Sequence, residues 1–205
     1  MPILIYILAV LAANLTATLF IPFPLFGQVA VGTLIFGLTF TQRDRMHVYG
    51  RKVVYAVIGT TALLTLLLLV SFKYLWGAPL IELCLRGGSE WLAEGFGYLR
   101  EGGVRVFAAS VLAILIAESM DTEVYHRLRE RSWMVRVLGS NAVSIPVDSA
   151  VFNLVAFAGI FGWKMLAAVI FGEIVTKTIV GTLYAFIRPR SEDKGGASFK
   201  SLPVV

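Results

Sequence analysis

The sequence predicts an all-α fold: a polytopic membrane bundle of six transmembrane helices with both termini cytoplasmic. Three observations predict it. Hydrophobic residues make up 58% of the 205 positions, and the mean hydropathy is +0.80. Charged residues are only 15%, against roughly 25% in an average soluble domain, too few to cover a water-soluble globule. Apolar runs recur at about the 20 residues a bilayer crossing requires.

The elements follow in order. Residues 3–20 carry no charge and one strongly polar side chain, Asn14. A secretory signal would need a basic start and a small-residue cleavage site, so a first span over 2–22 is expected. Pro22 and Pro24 close it, because lost backbone donors are cheap only near a span end or in a protein-lined break. A second span over 27–42 is short for a 30 Å core, and Gln28 with the preceding FPLFG segment completes it as non-helical chain. Residues 52–73 form the third span. Residues 74–103 read as a long external loop, with one or two short interfacial helices or a lid as the alternative. Spans over 104–121, 138–161 and 163–187 complete a single domain, 1–190. Residues 191–205 are polar and Gly-rich, a disordered cytoplasmic tail.

Charge orients the bundle. Arg43, Arg45, Arg51 and Lys52 follow span two, Arg127, Arg129, Arg131 and Arg136 follow span four, and Arg188, Arg190, Lys194 and Lys200 lie in the tail. The opposite side holds Lys73, Arg86, Arg100, Arg105 and Lys164. Six spans put the richer set in the cytoplasm, as the positive-inside rule requires. The net charge of +5 therefore reflects topology, and no nucleic-acid partner is expected.

Ionisable groups at membrane depth cost a few kcal/mol each, about 2.5–3.5 on insertion scales, so they face a cavity or a partner. Asp148 lies two residues after Pro146, which predicts a kink or break near Ile145. Asn141, Ser144 and Asp148 fall at helical spacings and share a face. Asp148 either binds a guest or pairs with Lys177 to join two helices. Glu173 and Lys177 form an i,i+4 pair, either self-neutralised or part of a site. Asn14 offers the donor and acceptor that a heteroaromatic amide edge needs, or a bond between helices. Phe152 and Phe157, with Phe40 or Phe36 from span two, are candidates for an aromatic wall. Glu118, Asp121 and Glu123 end span four, and Asp44, His47 and Tyr49 end span two. With Arg43, Arg45 and Arg51 they make a structural ion network or a gate. No metal site is expected from His47 and His126, and no cofactor. One cysteine, Cys84, rules out an intrachain disulfide. No phosphate loop, HExxH or GxSxG motif is present, and no histidine lies close in sequence to Ser140, Ser144, Ser149 and Asp148, so no enzyme is predicted.

Three segments carry a resemblance. GTLIFGLTFTQRDRMHVYGRK, ESMDTEVYHRLR and SNAVSIPVDSAVFNLVAFAG together resemble the signature blocks of the queuosine precursor transporter family, formerly classed with vitamin uptake transporters. The resemblance covers residues 30–52 and 117–159, and the hydropathic layout matches through 187. The TQRDRMH spelling and the glycine-rich 73–103 segment depart from the family pattern. It implies a six-helix protein of the bacterial inner membrane or archaeal plasma membrane, similar in fold to the S components of energy-coupling-factor vitamin transporters. It implies import of 7-deazaguanines such as preQ0 and preQ1, a nucleobase-like substrate, without an energy-coupling ATPase module. Carried over, Asp148 is the base-recognising carboxylate, with Asn141, Ser144 and Asn14 as polar companions, and Asp44 and Arg51 belong to the span-two signature. A vitamin-binding S component docked on an ATP-driven module is the alternative reading, and a ligand-free membrane scaffold a third. Oligomeric state is left open, a homodimer included.

Overall fold

The computed structural model describes residues 1–23 and 27–187, without the side chains at 27, 28, 41, 44, 184, 185 and 187. The expected tail, 191–205, lies outside the described residues. Eight helices are present among the described residues: α1 (Pro2–Leu15), α2 (Val31–Met46), α3 (Arg51–Ser71), α4 (Gly77–Arg86), α5 (Glu90–Glu101), α6 (Gly103–Arg127), α7 (Trp133–Phe157) and α8 (Trp163–Ile187). Two short strands, β1 (Phe20–Phe23) and β2 (Gly27–Ala30), pair antiparallel between α1 and α2.

Four described segments are long and apolar enough to cross a membrane: Arg51–Arg86, Gly103–Arg127, Trp133–Phe157 and Trp163–Leu183. Their outward faces are apolar, with Leu63, Leu66, Leu67, Val70, Leu115, Ile179 and Leu183 all exposed. A stripe of that kind needs lipid rather than water. The protein is therefore membrane-embedded and multi-pass.

The first two expected spans are not continuous helices. α1 has 14 residues and ends at Leu15, where β-branched Thr16 and Thr18 and then Pro22 disfavour further turns. The chain continues as the hairpin, in register Phe20↔Ala30 and Pro22↔Gln28. Pro22 is tolerated because each strand of a two-stranded ribbon has a free edge. At 14 residues α1 rises roughly 21 Å, short of a hydrocarbon core by itself. Val31 N–H donates to the Leu19 carbonyl (2.8 Å) and Gly32 N–H to that of Thr16 (3.2 Å), so the turn into α2 leaves few open backbone groups.

The 74–103 segment is helical, where a loop was the leading expectation. α3 passes through a short π-helical stretch, Phe72–Trp76, directly into α4. Gly87 and Gly88 stop α4, and Gly88 takes the positive φ of 73° that favours glycine. α5 then lies on the hairpin. Thr18 Oγ1 donates to the Gly95 carbonyl (2.8 Å), and Trp91 Nε1 donates to that of Phe20 (3.0 Å).

α7 runs unbroken through Pro146, so of the kink or break expected near Ile145 the break does not occur. Neighbouring helices hold the turn in place, since α7 packs against both α6 and α8. Two larger apolar cores result, beside a small one at Tyr125 and Val137. One gathers Leu69, Phe72, Leu99, Phe107, Phe157 and Leu166 near α5, and the other gathers Tyr6, Val10, Met46, Val54, Ile58 and Ile114. The ionisable groups lie between and beyond them.

Candidate functional site

Two buried polar networks share α7. In the first, Lys177 Nζ on α8 donates to Asp148 Oδ2 (2.8 Å), Glu173 Oε2 (2.9 Å) and Ser149 Oγ (3.1 Å). All three ammonium protons are thereby used. Its charge also sits 5.4 Å from the centre of the Phe36 ring, a cation–π distance. Asp148 Oδ1 and Glu173 Oε1 make no hydrogen bond to a described residue. The triad holds two carboxylates and one cation.

A hollow of about 50 Å³ opens beside this triad, room for more than a single water. Asp148, Glu173 and Lys177 form one wall. Asn14 and Ser110 form another, hydrogen-bonded to each other, with Asn14 Nδ2 donating to the Val10 carbonyl (2.9 Å). Phe36 and Phe152 supply aromatic faces, and Ala13, Ala17, Gly32 and Thr33 the rest. Small residues on α1 and α2 create the space. A Cβ on Gly32 would run into the Ala13 carbonyl oxygen.

The second network lies at the end of the bundle where the 47–50 and 128–132 connections meet. Arg43 on α2 is 1% exposed and pairs with Glu118 Oε2 (3.1 Å) and Asp121 Oδ1 (2.8 Å) on α6. It also donates to Asn141 Oδ1 on α7 (2.8 Å), while Ser144 Oγ donates to Asp121 Oδ1 (3.1 Å). His47 stacks on Tyr125 with centroids 4.0 Å apart. Burial pushes its imidazole below the ordinary value, against the pull of Asp121. Arg51 pairs instead with Glu123, which also accepts from Tyr55 (2.7 Å).

The structure thus divides the residues singled out from the sequence. Asp148, Asn14, Phe152, Glu173 and Lys177 meet around the hollow. Asn141 and Ser144 share a face with Asp148 yet belong to the Arg43 network, because Arg43 and Asp121 reach them first. Phe40 is buried against Phe36 (5.6 Å) and under Arg43 (5.1 Å), outside the hollow's lining. Asp148 pairs with Lys177 and also lines the hollow. Glu118 and Asp121 are joined by Arg43 and not by Arg51. The Asp44 side chain lies outside the described residues. Ser110 and Thr33 were not anticipated; each is a small hydroxyl inside an apolar helix, a pattern that back-bonding within the helix produces equally well. Among the described residues, no group of three or more His, Cys, Asp or Glu side chains could hold a metal ion.

Residues 30–187 match the model of a family described as "Putative vitamin uptake transporter". A relative from Bacillus subtilis (strain 168), named "Probable queuosine precursor transporter", is 32% identical over 154 residues, which cover 72% of this chain and 59% of the relative. The chain spans about three-fifths of that relative's length. No solved structure matches. Both names describe transporters rather than enzymes.

Proposed function

The chain belongs to the vitamin uptake and queuosine precursor transporter family, and from that premise we propose that it imports a 7-deazaguanine, 7-cyano-7-deazaguanine or 7-aminomethyl-7-deazaguanine, across the cytoplasmic membrane. The observation that carries this is the polar hollow beside Asp148, inside a bundle whose outer faces are apolar.

A 7-deazaguanine presents N1–H and a 2-amino group side by side, and carboxylate oxygens accept from both. Asp148 Oδ1 and Glu173 Oε1 have capacity left for this. Lys177 holds the two carboxylates in place; with its protons already used, it is not the base's donor. Asn14 Nδ2 keeps one amide proton for the carbonyl edge, and Phe36 and Phe152 offer surfaces for stacking a flat ring. In this reading Asn141 and Ser144 support the site from the adjoining network. The bundle consists of six crossings, with α1–β1 and β2–α2 as the first two and both termini cytoplasmic. The basic 47–52 and 127–136 segments then face inward.

The experiment is uptake of labelled preQ0 and preQ1 into liposomes holding only this purified protein. Uptake above empty liposomes is expected, and its loss in Asp148→Asn with the protein still folded. Full uptake in that variant removes Asp148 from the site. Substrate binding without transport, with transport restored by a separate ATPase module, would replace the importer reading with that of an S component.

A further inference from the structure

The Arg43 network contains buried groups that the substrate hollow does not use. Arg43 lies between two acidic side chains, Glu118 and Asp121. Asp121 Oδ1 receives both Arg43 and Ser144, but Oδ2 has no hydrogen bond. His47 Nε2 lies 3.9 Å away, and both ring nitrogens of this 1%-exposed histidine lack a hydrogen-bond partner. A buried polar atom without a partner costs roughly 1–3 kcal/mol, so a pair of them facing each other requires an explanation. In the Lys177 triad every ammonium proton is placed, and Asp148 and Glu173 both line the hollow.

We propose that His47 and Asp121 form a proton-binding site, separate from the substrate hollow, through which import is coupled to proton entry. This rests on the transporter reading above. A proton from solution adds to His47 Nε2 and is shared with Asp121 Oδ2; no other bond forms or breaks, and the same proton leaves when the site opens to the other side. The pair then closes from 3.9 Å to the roughly 2.7–2.9 Å of a charge-assisted bond.

The surroundings favour a switch over permanent charge. His47 meets Arg43 from α2, Asp121, Tyr125 and His126 from α6, and Arg136 from α7. On α3, Arg51 and Tyr55 are committed to Glu123, and Lys52 is exposed. Burial and the two arginines oppose protonation in this closed arrangement, so proton affinity rises when water enters. Two states with different proton affinity are what coupling requires. The link to the hollow is short. Ser144 holds Asp121, and one turn further along α7 Asp148 and Ser149 hold Lys177.

Liposomes containing the purified protein test this, with preQ0 and preQ1 as probes at equal pH and with an outside pH lower by about 1.5 units. In the wild type the gradient is expected to raise accumulation by up to about 30-fold, the ratio of proton activities. His47→Gln should lose the response to the gradient and keep the uptake seen without it, and His126→Gln should retain the response. An equal response in His47→Gln overturns the proposal and leaves the importer standing. If neither probe enters under any condition, the importer reading fails and the site is decided on the protein alone. The chain has only two histidines, so imidazole NMR on the His126→Gln protein in nanodiscs reports His47. Because the folded His47 value is depressed, stability is full above about pH 6.5 and falls as pH drops below it. That fall should vanish in His47→Gln. A His47 that does not titrate between about pH 4 and 7.5, with no His47-dependent fall in stability, overturns the site.

Discussion

Lys177 is anchored at three points, and its two carboxylate partners lie on different helices, Asp148 on α7 and Glu173 on α8. Removing one partner of a buried pair leaves an uncompensated charge, typically about 3–5 kcal/mol. Lys177→Met should therefore lower the unfolding temperature in detergent by on the order of 10 °C. The double variant Lys177→Met/Asp148→Asn should recover part of that loss, because only one carboxylate then remains charged. Equal losses in the single and double variants would show that the triad does not act as a unit. Uptake should fall in both, since the carboxylates lose the group that orients them. The i,i+4 spacing of Glu173 and Lys177 was legible in the sequence. The Asp148 pairing was legible only as one of two options, because spacing cannot say which of two neighbouring helices turns its charge inward.

At the scale of elements, α1 and α2 approach closely at Gly32, whose position leaves no space for a Cβ beside the Ala13 carbonyl oxygen. That obstacle is backbone, so it cannot rotate away. Gly32→Ala should push the two helices apart at a cost of about 1–3 kcal/mol, read as a lower unfolding temperature. It should also impair uptake, because Gly32 and Ala13 both line the hollow. Pro146 makes the opposite case. It sits inside an unbroken α7, where it removes one i→i−4 bond, the one to the Ala142 carbonyl. Pro146→Ala should restore that bond and raise the unfolding temperature. Slower uptake in the same variant would identify this turn, between the two polar networks, as the place where α7 flexes. The run of residues from Pro22 signalled that helix would stop, but the hairpin was not legible. Its pairing joins residues four to ten apart, and contacts from α5 hold it in place.

Across the whole molecule, the basic 47–52 and 127–136 segments meet at one end, joined by the stack of His47 on Tyr125 and the Arg51–Glu123 pair. The turn between α4 and α5 lies beyond the other end of α3. This is the arrangement that charge asymmetry alone predicts, and chemical labelling can test its direction. Cys84 is the single cysteine and is partly exposed on α4. In intact cells a membrane-impermeant maleimide should reach it. A Cys84→Ser/Tyr49→Cys protein, which places the thiol at an exposed site in the 47–49 turn, should react only after permeabilisation. Labelling of the second protein in intact cells would reverse the proposed topology.

The sequence by itself determined that this chain lives in a membrane and that its basic residues gather at the ends of apolar runs. Both follow from transfer free energy summed along the chain, a quantity that needs no knowledge of neighbours. It also marked Asn14, Asp148, Glu173 and Lys177, because polar groups at that depth must be answered by something. What answers them was decided only in three dimensions. Arg43 took Asn141 and Asp121, Lys177 took both of its carboxylates, and Ser110 met Asn14 from a helix almost a hundred residues away. Such partners are chosen by distance in space, and a one-dimensional pattern carries no measure of that distance.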